Sequence, residues 1–312
     1  MVQHRRHLHQ NPELGNREFE TARLVADHLR ALGLEVDTGV AVTGVVAILR
    51  GGRPGPVVAV RADMDALPVT EDTPYPFKST KRGTYLGQDI GIGHACGHDV
   101  HTAVQLGVAS ILAGMRNDLP GTVKFIFQPA EEGLPPGEEG GAKLMVREGV
   151  LEDPRPAAIF GLHTRASLDV GVIGWAPGPT LAAADVFRIV IRGRQAHGAM
   201  PHLSIDPIVT ASQVVLAFQT IRSRNVSPFE PSVVTVGMFR GGTRNNIIPG
   251  EVELQGTVRT YREDVQTTIE RRMREILDGT TAAAGATYEM TYTRYVPPTV
   301  NDTVLTERMV PT

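Results

Sequence analysis

The chain has 312 residues, 41% hydrophobic and 21% charged, which is enough apolar material for two cores at roughly 150 residues each and excludes a disordered polyelectrolyte. Lys and Arg total 31 against 34 Asp and Glu, a net charge of −3, so there is no basic footprint for nucleic acid and a small-molecule substrate is the expected partner. No run of 18 apolar residues offers a membrane span, and the single cysteine, Cys96, excludes an internal disulfide; together these point to the cytoplasm.

The basic start, Met1 to Gln10, runs into Asn11-Pro12-Glu13 instead of an apolar stretch, so it does not read as a signal peptide. Phe19, Ala22, Val25, Ala26, Leu29 and Leu32 recur at helical spacing, and Gly33 follows as a stop, predicting an amphipathic helix. Short β-branched runs at 45–49, 57–60, 123–127 and 157–160, with a helical stretch over 102–113, predict an α/β sheet buried on both faces. From about Asp185 the texture changes to alternation. Phe187, Ile189 and Ile191 share one strand face, and a helix follows with Asp206 as N-cap and Pro207 at its first position. A strand over 233–239, a Gly241-Gly242 turn, a strand with Val252, Leu254 and Val258 inward, a helix through Ile269 and Met273, and a strand through Tyr288, Met290 and Tyr292 complete a β-α-β-β-α-β order. That is the ferredoxin-like sandwich. The expected organisation is a catalytic α/β domain of residues 1–180 plus 292–312, into which a domain of residues 181–291 is inserted. The stretch 133–141, GLPPGEEGG, reads as a mobile loop.

Three of the ten histidines fall in 94–101, HACGHDVH, with the only cysteine and an aspartate. Thiolate and imidazole are borderline-soft ligands that suit Zn²⁺ and its neighbours, with Mn²⁺ next where carboxylates join the set. A helix start rich in small polar residues around a buried thiol is the plainer alternative. Three apolar runs lead into Arg61-Ala62-Asp63-Met64-Asp65, into Gln128-Pro129-Ala130-Glu131-Glu132 and into Gly161-Leu162-His163. Ligand and active sites of open α/β sheets gather at such C-terminal strand ends. Alone, a Glu-Glu pair is usually solvated surface and an Asp after a strand is often a helix cap. Beside a cation, one glutamate can ligate while the other takes a proton from an activated water, so hydrolysis is the implied reaction.

The segments RRHLHQNPELGNRE, VAVRADMDALPV, GHACGHDVHTA, FIFQPAEEG, FGLH, AHGAMPH, DPIV and NNIIPGEVELQGTVRT stand in this order and span essentially the whole chain. The chain thereby resembles the M20 metallopeptidase family, in its amidohydrolase branch of N-acyl-amino-acid and hippurate hydrolases. The resemblance implies a phosphorylase/hydrolase-like α/β sheet of the zinc-exopeptidase type with a ferredoxin-like lid, two divalent metals per subunit, and a homodimer formed through the lid. It implies Cys96 as a bridging thiolate, His98, Glu132 and His163 as further ligands, Glu131 as general base and Asp65 as support for a ligand. In the lid, His197 would polarise the substrate carbonyl of the partner subunit, and Asn246 and Arg259 would contact substrate. Without the resemblance, His197 would read as a solvated loop histidine and Arg259 as a surface ion pair. Asn245 departs from the apolar residue usual in the family and implies a more polar acyl pocket. Family members continue past Thr312 with a stretch that completes the sheet and supplies a final histidine ligand, so the second metal site is expected to be impaired. An N-acyl amino acid is the expected substrate; a weakly active remnant that dimerises through the lid, and a dipeptidase or aminopeptidase, are the rival readings.

Overall fold

The continuously apolar runs of the first half form strands within the first of two units into which the chain divides, Met1–Val170; those at 45–49 and 123–127 are buried on both faces, whereas the 157–160 run, at the sheet edge, leaves Ile159 49% exposed. The computed structural model describes residues 1–310. This unit runs α1 (Val2–Gln10), α2 (Phe19–Ala31), β1 (Glu35–Val40), β2 (Gly44–Arg50), β3 (Arg53–Asp63), a hairpin of β4 (Arg82–Tyr85) and β5 (Gln88–Gly91), α3 (His98–Gly114), β6 (Pro120–Gln128), α4 (Gly141–Arg147) and β7 (Ala158–Gly161). Its main sheet has the order β1-β2-β6-β3-β7. β1–β2 and β2–β6 are antiparallel, whereas β6–β3 and β3–β7 are parallel.

Alternation along β6 shows how both faces are filled. Val123, Phe125 and Phe127 pack with Val25 and Leu29 of α2 and Leu106 of α3. Ile126 points the other way, toward Met145 of α4 and Val150. Phe125 and Phe127 are fully buried, each contributing about 1.5–3 kcal/mol by area removed from water. Lys124, also buried, is tolerated because its ammonium donates to the carbonyls of Val150 (2.7 Å) and Asp153 (3.0 Å).

Parallel pairing decides where the site lies. Asp63 at the end of β3 is level with Gln128 at the end of β6, and Arg61 of β3 is level with Gly161 at the end of β7. Three chain exits therefore leave the sheet at one edge, carrying Asp65, Glu131-Glu132 and His163.

The second unit, from Gly171 onward, comprises β8 (Gly178–Leu181), β9 (Ala183–Arg192), β10 (Ala196–His197), α5 (Pro207–Thr220), β11 (Ser232–Gly241), β12 (Ile247–Ile248), β13 (Glu251–Thr260), α6 (Glu263–Ala284), β14 (Thr287–Val296), β15 (Thr299–Asn301) and α7 (Thr303–Met309). Its four-stranded antiparallel sheet has the order β11-β13-β9-β14, the arrangement of a ferredoxin-like sandwich. Phe187, Ile189 and Ile191 of β9 face Val214 and Phe218 of α5 and Ile269 and Met273 of α6. Asp206 caps α5, its Oδ1 accepting from the amide of Ile208 at 2.8 Å. β8 and β15, on either side of the sandwich in sequence, pair antiparallel with each other. No helix is long and apolar enough to cross a membrane among the described residues.

The structure adds α1, β1, the β4–β5 hairpin, α4, the short strands β8, β10, β12 and β15, and α7 to the predicted elements. α1 buries only Leu8 and His9, and β1 buries no residue fully, so neither carries a clear apolar period. The loop after Glu132, read as mobile, is tied at its middle: Asn16 Nδ2 donates to Glu138 Oε2 (3.1 Å) and to the Glu139 carbonyl (3.0 Å), and Arg17 forks onto Glu138.

Candidate metal centre

His98 opens α3 directly after Gly97, whose φ of +92° lies in the left-handed region and where a Cβ would collide with Thr164 Oγ1. The turn therefore needs glycine on two grounds, and it drives His98 inward, where it is 1% exposed. Its Nδ1 lies 2.8 Å from the Asp65 carbonyl. A carbonyl only accepts, so Nδ1 carries a proton and Nε2 is the nitrogen at which a cation can take the place of a second proton. That Nε2 is buried without a hydrogen-bond partner, 3.7 Å from Glu131 Oε2 and 3.8 Å from Glu132 Oε1. Glu132 Oε1 is likewise buried and unpartnered.

His163 is oriented in the same way, Nδ1 donating to the Thr164 carbonyl at 2.7 Å while Nε2 faces Cys96 Sγ at 3.4 Å. Ligand atoms of Cys96, His98 and His163 form one group that could hold a cation, and those of His98, Glu131 and Glu132 form a second sharing His98. Leaving two buried polar atoms unpaired costs about 1–3 kcal/mol each, which a bound cation would offset. The residues present thus fit a divalent metal, through thiolate, imidazole and carboxylate together.

Electrostatics favour positive charge at this point. Burial lowers the His98 imidazole, but the contacts with Asp65 and Cys96 and the charge of Asp63 outweigh it and push the group up to about 11. Burial, then the Asp63 charge, raise the Glu131 carboxyl and make it a stronger base than a solvated glutamate. Asp65 supports the neighbouring turn, its Oδ2 accepting from the Glu132 amide at 2.9 Å.

The sequence places His101 in the histidine cluster and Asp63 at a strand end, as candidates near the site without a defined role, and the structure gives them one. His101, one turn after His98, has both ring nitrogens engaged: Nδ1 is 2.6 Å from Asp63 Oδ1, and Nε2 accepts from the Thr164 amide at 2.8 Å. Asp63 is held well below the usual carboxylate range because the His101 bond and the Arg61 guanidinium outweigh burial. His101 thus fixes the peptide next to His163. His101→Phe should weaken metal binding by about 10- to 100-fold with the fold intact, as loss of ligand support typically does. Isothermal metal titration of the variant checks this, and unchanged affinity would remove His101 from the support of His163.

In the second unit, His197 is exposed on β10, which pairs with β12. The Ala199 amide donates to His197 Nδ1 at 3.0 Å, so Nε2 carries the proton and is free to donate. Asn246 adjoins it, its carbonyl accepting from Gly198 N at 2.8 Å. Arg259 lies on β13, with Nη1 donating to Thr257 Oγ1 and to the Val258 carbonyl. The first unit thus brings together Asp65, Cys96, His98, Glu131, Glu132 and His163, and the second brings His197 beside Asn246.

An α/β sheet with a thiol, imidazoles and paired carboxylates at its C-terminal edge, together with a ferredoxin-like unit, defines the class of metal-dependent hydrolases. The sequence matches peptidase family M20/M25/M40 over residues 59–311, and the chain belongs to this family. An N-acyl-L-amino acid amidohydrolase of Geobacillus stearothermophilus is 45% identical over 298 residues, covering 95% of this chain and 76% of that protein. Thermostable carboxypeptidase 2 of Saccharolobus solfataricus is 41% identical over 312 residues, covering 99% and 76%. The crystal structure of Bacillus subtilis YXEP, described as a dinuclear metal binding peptidase from the M20 family, superposes with a TM-score of 0.80 at 37% identity, covering 98% of this chain and 76% of that one.

Proposed function

We propose that the protein hydrolyses the amide bond of N-acyl amino acids, with Glu131 as general base. The observation that carries this reading is the unpartnered, buried Nε2 of His98, set between two glutamates beside a thiol. The amidohydrolase relative supports the substrate class. Cys96, His98, Glu132 and His163 would hold two divalent cations, Zn²⁺ before Mn²⁺ because of the thiolate. A bound cation of this kind acidifies water and polarises a carbonyl.

This chain's own residues do the rest. Glu131, partly exposed and raised by burial, takes the proton of the attacking water and returns it to the departing amine. Asp65 keeps the Glu132 amide and His98 in place. His197 Nε2 donates to the acyl oxygen as charge builds on it, acting on the site of a partner subunit, and Asn246 and Arg259 hold the substrate. Residues 181–291 would be the lid and dimerisation domain, inserted between 1–180 and 292–312. A cytoplasmic location goes with this reading, since the one cysteine cannot form an internal disulfide.

The test is a metal assay with a hydrolysis panel of N-acetyl and N-benzoyl amino acids, set against dipeptides with a free amine. Acylated substrates are expected to turn over faster. The carboxypeptidase relative makes peptides the second reading, and faster cleavage of the free-amine dipeptides would establish it in place of the first.

A further inference from the structure

Glu18 precedes α2 as its N-cap residue, yet its side chain makes no cap hydrogen bond. Instead the carboxylate turns into the interior and is 0% exposed. Its Oε1 accepts from the amide of Ala130 at 2.8 Å, and its Oε2 accepts from the Thr43 hydroxyl at 2.5 Å. Ala130 is a non-glycine residue at φ +48°, in the left-handed region that L side chains rarely adopt, and it immediately precedes Glu131. On the other side of Glu131, the Glu132 amide is held by Asp65. The proposed base therefore stands between two backbone amides, each tied to a buried carboxylate.

We infer that Glu18 is a positioning residue: by holding the Ala130 amide it keeps the peptide before Glu131 in the left-handed conformation that aims the Glu131 carboxylate at His98. The neighbouring residues act in the same sense. A Cβ on Gly15 would press into the Gly133 carbonyl (2.7 Å), so the segment before α2 lies directly against this turn. Asn16 and Arg17 grip Glu138 further along the same loop. Burial pushes the Glu18 carboxyl up to about 7 in spite of its two hydrogen bonds, so an ionisable group is kept here at an energetic disadvantage. An apolar residue would fill the space but could not accept from Ala130. A carboxylate beyond direct reach of the reacting atoms can still control rate, since a shift of about 1 Å in a reacting group costs on the order of 10²-fold.

The inference rests on the reading of Glu131 as base, and the experiment separates the two. Amide hydrogen exchange of the metal-free protein over residues 128–133 reads the anchor directly, without turnover. Glu18→Ala is expected to accelerate exchange at Ala130, to lower kcat by about 10- to 100-fold with KM changed less than about threefold, and to leave bound metal unchanged. Glu18→Gln retains an acceptor for the amide and is expected to restore both protection and kcat to within about threefold. Should Glu18→Ala not fold, Thr43→Val loosens the same carboxylate without emptying its site and is expected to shift exchange and kcat in the same direction. Normal protection at Ala130 in these variants, or a Glu18→Gln protein as slow as Glu18→Ala, overturns the inference. Full activity in Glu131→Gln would instead overturn the base assignment and leave the exchange result standing.

Discussion

Glu131→Gln is expected to lower kcat by about 10²- to 10⁴-fold, the range that general acid–base catalysis supplies, while metal content stays near that of the unsubstituted protein. The amide has the shape of the carboxylate but cannot take a proton from water. Geometry also separates this residue from its neighbour. Glu131 is partly exposed toward solvent, where a water and an amine can reach it, whereas Glu132 has its amide fixed by Asp65 and one oxygen buried without a partner. The variant is to be measured for kcat, KM and bound metal together. A loss of metal in proportion to the loss of activity would make Glu131 a ligand and move the base to Glu132.

Cys96→Ser should fail in the opposite order, losing metal first and activity as its consequence. A thiol ionises against a cation far more readily than an alcohol, and Cys96 Sγ stands 3.4 Å from His163 Nε2 in the group of atoms that could share a cation. Loss of a direct ligand exceeds the roughly 10- to 100-fold typical of supporting residues, so affinity should fall by more than about 100-fold. Metal per chain after dialysis against a chelator, with turnover re-measured in excess metal, is the assay. Retention of the full complement would remove Cys96 from the centre. The two variants form a pair: one loses chemistry with its metal kept, the other loses metal with its base intact.

Much of the fold is legible along the chain because burial imposes a period. The β6 run Val123 to Phe127 is apolar on both faces apart from Lys124, as a central strand requires, and Asp206-Pro207 marks the start of α5 by capping chemistry alone. Elements that bury little escape this reading. α1 is basic, and β1 at the sheet edge has no buried residue and no clear apolar period, so packing against neighbours, not local pattern, places them.

Residue types and their position after apolar runs determined the chemistry: a thiol, imidazoles and paired glutamates at strand ends suffice to imply a metal-dependent hydrolase. Which of these residues meet was decided by the parallel order β6-β3-β7, which sets three exits on one edge. The choice among histidines was also tertiary. His98 and His101 lie one turn apart on α3 and are equivalent in sequence, but His101 has both nitrogens committed to Asp63 and Thr164, whereas His98 keeps Nε2 free. Glu18 shows the same division most sharply. Nothing local to its position before α2 marks it, and only folding, which carries it 112 residues along the chain to the Ala130 amide, makes it part of the site. Local sequence reports what a side chain can do; hydrogen-bond partners distant in sequence determine which of its atoms remain free to do it.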